Sequence, residues 1–154
     1  MWKLSISRSK PSRNPDERRA APYLVVVLVS TLAAYIIANQ MLAASATSIS
    51  ANTVTFFTAA GALSGATSGV LFGEWYGHRG LSGILVTGFV SFIGPLLGGA
   101  IIGTIFFPVL GTVFGAYTAW SVFCELPYLS TWVVSVVLMH FAAGYLRGAL
   151  PESC

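Results

Sequence analysis

From Leu81 to Cys124 the chain runs for 44 residues without one charged side chain. As a single α-helix that run would be about 66 Å long, twice the hydrocarbon core of a bilayer, which is about 30 Å. A soluble domain of this size offers no interior that could hide such a segment. The run must therefore lie in lipid and fold back on itself.

The rest of the chain agrees. Of 154 residues, 55% are hydrophobic and 8% are charged, whereas a soluble domain carries about 25% charged residues. The class is an all-α, polytopic transmembrane helix bundle. Apolar stretches place five spans at about 20–44, 54–73, 81–103, 108–124 and 128–146, within a transmembrane domain 20–148. Residues 1–19 form a basic polar tail and 149–154 a short C-terminal tail. Pro22 falls near the start of the first span. The turn between the third and fourth spans is expected near Thr104 to Phe107, with Pro108 in the first turn of the next helix, where a missing N–H costs little. A turn at Gly94-Pro95 would leave a first arm of 13 residues, too short to cross. Four spans plus a re-entrant hairpin is the alternative order. It places both termini on one side, whereas five spans place them on opposite sides.

Charge sets the expected orientation. Lys3, Arg8, Lys10, Arg13, Arg18 and Arg19 precede residue 20, and only Arg79 and Arg147 follow. A basic flank beside a first span is retained on the cytoplasmic side and is drawn to anionic headgroups. This explains the charge without nucleic acid. The expected location is a bacterial cytoplasmic (inner) membrane with the N-terminus inside; an organellar inner membrane is the other setting. The small-residue run after the first span resembles a signal-peptide cleavage region, but the long basic segment ahead of it favours an uncleaved anchor. With five spans, Arg147 is the one basic residue outside, and Glu125-Leu126-Pro127 is a cytoplasmic turn. Cys124 and Cys154 then sit on opposite faces, unable to bridge.

Glycine is the second feature. Gly61, Gly65, Gly69, Gly73 and Gly77 recur at every fourth position. Gly94 with Gly98, Gly99 with Gly103, Gly111 with Gly115 and Gly144 with Gly148 repeat the GxxxG spacing. In lipid, helices associate through close van der Waals contact, and small residues let backbones approach. Successive positions in such a ladder drift about 40° around the helix, so the five trace a slanted groove. These glycines are expected to pack helices of this chain, to meet copies of it, or to meet other subunits, in the manner of a glycine zipper.

The candidate chemistry is sparse. His140 lies in the last span, where an ionisable side chain is a functional candidate by default. Its expected role is a structural hydrogen bond; ligation of a haem or chlorin is the alternative. Glu74, His78 and Arg79 form a polar cluster beside Trp75 and Tyr76, suited to anchoring at the headgroups. As metal ligands, Glu74 and His78 fall short of the three or four a site needs. Asn39 and Gln40 are expected near the outer headgroups, hydrogen-bonded to neighbours. Ser64, Thr67, Ser68, Thr87 and Ser91 would line a modest polar path if copies assembled around an axis. Ser64-Gly65-Ala66 with Gly69 resembles, over about ten residues, the nucleophile stretch of rhomboid intramembrane proteases. That resemblance implies His140 as the base. It departs from the family at Ala62, where the family has glycine, and the five-span order makes the two helices antiparallel where the family's are parallel.

No nucleotide fingerprint, catalytic carboxylate pair or metal cluster appears in the sequence. The expected function is a small non-catalytic membrane subunit that organises a larger complex through glycine-faced helices. A homo-oligomeric channel or carrier for a small solute, and a pigment- or haem-associated protein using His140, are the alternatives.

Overall fold

A computed structural model describes residues 15–45 and 50–149. Among these residues there are helices and no strand: α1 (Pro15–Ala44), α2 (Ala51–Phe72), α3 (Leu81–Phe106), α4 (Leu110–Cys124) and α5 (Leu126–Ala149). A short 3-10 turn, Gly73–Trp75, follows α2. Four helices are long and apolar enough to cross a membrane. The fifth, α4, has 15 residues, a rise of about 22 Å that falls short of a ~30 Å core. Cys154 and the basic residues before position 15 lie outside the described residues.

Local chemistry explains two of the element boundaries. Ser50 caps α2, its hydroxyl accepting the Thr53 N–H at 3.3 Å, which satisfies one of the orphan donors of a first turn. α1 begins at Pro15, so Pro22 lies inside the helix and not near its start. α3 runs on to Phe106, and the chain reverses at 107–109. There the Leu110 N–H bonds to the Pro108 carbonyl at 2.9 Å, and Val109 has φ 67° and ψ −68°. This is a γ-turn of the rare, strained hand, on a β-branched residue. Pro108 thus sits in the turn and not in the first turn of α4.

Gly94-Pro95 does not break α3. Proline lacks an N–H, so it leaves the carbonyl four residues earlier without its helical partner. That carbonyl belongs to Ser91, and the Trp132 indole N–H on α5 donates to it at 3.2 Å. A neighbouring helix thereby satisfies the group that lipid cannot.

The helix directions depart from five alternating spans. α1 and α2 are antiparallel: Gly61 faces Ala38, and Gly69 faces Val27. α3 returns along α2, with Gly94 near Ser68 and Gly98 near Ser64. α4 folds back on α3, pairing Gly111 with Gly103 and Gly115 with Gly99. Its last turn is level with the middle of α3, where the Phe92 and Phe123 rings are 4.7 Å apart. α5 then also runs opposite to α3. Trp132 meets Ser91, and His140 meets Thr87. At its start, Thr131 bonds to Gln40 of α1; at its end, Gly144 lies against Gly77, and Arg147 donates to the Glu74 carbonyl at 2.6 Å. Two expectations are corrected by this. Arg147 shares an end of the bundle with Arg79, and the turn at Glu125 lies away from the turn at 73–80. The reason is length: the uncharged run divides into one long arm and one short arm, and the short arm does not carry the chain to the other end.

Two apolar clusters join the helices. Val26, Val90, Met139 and Ala143 pack around Tyr76 near the 73–80 end. Ile37, Val122 and Tyr128 pack farther along α1.

Candidate functional site

A cleft of about 560 Å³ lies between the five helices. Along α1 its wall extends from Val26 to Leu42, a rise of about 24 Å. Phe56, Phe57, Phe106, Phe107, Phe114 and Tyr117 border it, and all six are well exposed on the bundle surface. The cleft therefore opens sideways between apolar helices.

Polar side chains on this wall turn back into the protein. Ser68 donates to the Ser64 carbonyl at 2.9 Å and reaches the Gly94 carbonyl at 2.7 Å. Ser30 bonds to the Val27 carbonyl, Ser121 to that of Thr118 and Ser135 to that of Thr131. The Ser91 hydroxyl pairs with the Tyr76 hydroxyl at 2.8 Å, fully enclosed. Burial pushes the Tyr76 phenol above its ordinary value, and the bond to Ser91 offsets part of that. Of the five residues expected along a polar path, Ser64, Ser68 and Ser91 line this cleft. Thr67 bonds to the Leu63 carbonyl, and Thr87 to His140. What the cleft offers an occupant is apolar surface.

His140 has a specific partner. Its Nδ1 shares a 2.9 Å hydrogen bond with the Thr87 hydroxyl, and Thr87 is buried. This joins α5 to α3. His78 makes a different contact, its Nδ1 lying 3.2 Å from the Trp75 carbonyl. The two histidines thus bond to different partners. Ser64 and His140 likewise stay apart. Their helices do run the same way, as in the rhomboid arrangement, but Ser64 abuts Gly98 whereas His140 abuts Thr87. Those two positions on α3 are about 16 Å apart along the axis.

Each glycine named from the spacing meets atoms of this same chain. A Cβ at Gly61 would stand 2.9 Å from that of Ala38, and one at Gly65 would collide with the Ser30 carbonyl. One at Gly69 would reach the Val27 Cα at 2.7 Å, and one at Gly73 the Tyr23 ring at 2.8 Å. The partner of the ladder is thus α1, the span that has no glycine. The regular register ends there: Gly77 lies in the turn, at φ 79°, where a Cβ would meet the Gly144 nitrogen at 2.5 Å. Gly148 is occupied from the side by the Arg79 guanidinium. Gly88, which the spacing did not single out, has no neighbour within 4 Å.

The 73–80 cluster sits at one end of the bundle. Glu74, His78 and Arg79 are exposed. Among the described residues, no group of three or more His, Cys, Asp or Glu side chains gathers to hold a metal. Near the opposite end of α1, Asn39 donates to the Tyr35 carbonyl at 2.8 Å, and the Gln40 amide donates to Thr131 at 3.1 Å. The Ser91–Trp132–Tyr76 network was missed from the sequence. Its signal was present, because Pro95 obliges some donor to reach the Ser91 carbonyl.

Comparison with protein-family models, with curated proteins and with solved structures finds no match to this chain.

Proposed function

We propose that this chain is a small, non-catalytic membrane subunit with four crossings and a short α4 that does not cross, held within a larger assembly. The carrying observation is the exposed turn at the α4–α5 junction. Cys124, Glu125, Leu126 and Pro127 are all exposed there, and α4 ends level with the middle of α3. A carboxylate and a break in helical bonding at membrane depth are tolerated where protein or water covers them. The adjoining face of α4 carries Leu110, Val113, Tyr117 and Trp120, all outward. A neighbouring subunit seated on this face would cover both the apolar stripe and the turn.

The grip we propose is therefore α4, because the glycine faces are already engaged within the chain. Basic residues support the orientation. Arg79 and Arg147 lie at the end where α1 begins, the other basic residues precede residue 20 in the sequence, and that end is cytoplasmic by the positive-inside rule. The setting is an inner membrane, bacterial by our reading. A pore for a small ion would need a polar wall that one copy does not supply.

The test is crosslinking through Cys124, an exposed free thiol. In a Cys154→Ser chain, a short thiol-to-amine crosslinker applied in intact membranes is expected to capture one defined neighbour. Mass spectrometry then identifies it as another protein or as a second copy. A chain that stays monomeric while Cys124 reacts freely with small thiol reagents overturns the proposal.

A further inference from the structure

We propose that Arg79 and Arg147 together bind the phosphate group of an anionic phospholipid at the 73–80 end of the bundle. The inference rests on membrane embedding but not on a protein partner. Arg147 lies in the last turns of α5. One of its terminal nitrogens donates to the Glu74 carbonyl at 2.6 Å, which aims the guanidinium across the 73–80 turn. Its Nε is enclosed and has no acceptor among the described residues. The guanidinium of Arg79 occupies the space beside Gly148, the next residue of α5. Two arginines are thus drawn to one helix end, and no carboxylate of the described residues bonds to either.

That arrangement is unfavourable alone and favourable around an anion. Each guanidinium has five N–H donors in a planar fork, and most of these ten remain unspent. Two like charges gathered at one helix end repel, whereas a phosphate group reached by both accepts charge-assisted bonds from each. Among the described residues, Glu74 meets Arg147 through its carbonyl and not through its carboxylate. The level is right as well. Trp75 and Tyr145, close in sequence to Arg79 and Arg147, are exposed, as are residues that mark the headgroup layer. Basic clefts between helix ends at the cytoplasmic leaflet are suited to anionic lipid headgroups.

The shared chemistry is a phosphate, which a soluble ion also carries, so the test has two arms. The full chain is reconstituted in phosphatidylcholine nanodiscs and titrated with phosphatidylglycerol in one arm and inorganic phosphate in the other. Thermal stability and native mass spectrometry are the readouts. Expected are a saturable rise in Tm and retained phosphatidylglycerol adducts, weakened about tenfold by Arg79→Gln. Arg147→Gln should weaken them further, and Arg147→Lys should restore them only partially, since a lysine keeps the charge without the fork. If phosphate ion displaces the lipid and raises Tm alone, the site stands with a soluble ligand. Arg79 is exposed, so its variant folds and decides the matter even if Arg147→Gln does not. Equal phosphatidylglycerol response in the wild type and in Arg79→Gln overturns the proposal, as does no response to either probe.

Discussion

At the scale of single residues, the chain solves one problem repeatedly: where a polar group goes when no water is near. Ser91 is the clearest case, because both its polar groups are spoken for by residues far away in sequence. Trp132 takes the carbonyl that Pro95 releases, and Tyr76 takes the hydroxyl. Replacing Trp132 with Phe keeps the ring and removes the donor. The expected loss is about 1–2 kcal/mol, the cost of an unpaired carbonyl in an apolar setting, read as a lower unfolding midpoint in detergent titration. A Pro95→Ala, Trp132→Phe double variant should recover most of it, because the helix then bonds its own carbonyl. Tyr76 adds a pH dependence whose sign is fixed. Its phenol loses its proton at higher pH in the folded protein than in the unfolded chain, where the value is 10.0. Above that pH the unfolded chain holds fewer protons, so stability falls as pH rises and is unaffected below. Tyr76→Phe should show a shallower alkaline decline in Tm than the wild type, though it starts lower for want of the bond to Ser91.

At the scale of helices, contact rests on what the side chains omit. α1 seats against Gly61, Gly65 and Gly69, and the ladder is specific to that face. Gly65→Leu must push the Ser30 backbone away and drive α1 and α2 apart, at an expected cost of about 3 kcal/mol. Gly88→Leu on α3 adds the same side chain where nothing stands within 4 Å. It should change stability by no more than about 0.5 kcal/mol, and comparing the two midpoints separates close packing from a general intolerance of bulk. The turn at Val109 gives the opposite expectation. A β-branched residue at φ 67° is strained, so Val109→Gly should stabilise by about 1 kcal/mol, read as a higher unfolding midpoint. These positions show what the sequence made legible. Glycine spacing marks a close-packed face, because only a missing side chain admits a backbone. It does not name the opposite helix, and here that helix is α1, built from alanine, serine and valine at the contact. The helical class followed from the long uncharged run. The strained reversal at Val109 did not, because valine carries no local preference for that conformation.

For the whole molecule, the decisive quantity is the length of α4. Hydropathy divides the uncharged run into two arms, and each can be read as a crossing. The helical pattern alone does not say that the second arm stops level with Phe92 of α3. The contacts of α5 settle its direction: Gln40 to Thr131 at one end, and Glu74 to Arg147 at the other. An odd number of crossings would carry the end of α5 away from the start of α1, and here they lie together. Charge gives the same answer independently. Five alternating spans strand Arg147 alone across the membrane, whereas the observed directions bring it beside Arg79, an arrangement the positive-inside rule favours. Tags placed before residue 1 and after residue 154 should therefore be digested from the same face of sealed vesicles. A cysteine at Ser50, in a Cys124→Ser, Cys154→Ser background, should react with an impermeant maleimide from the opposite face. Tags on opposite faces would mean that α4 crosses the bilayer. That result would also remove the exposed turn at membrane depth from which a neighbouring subunit was inferred, and it would put Arg79 and Arg147 too far apart to share one phosphate.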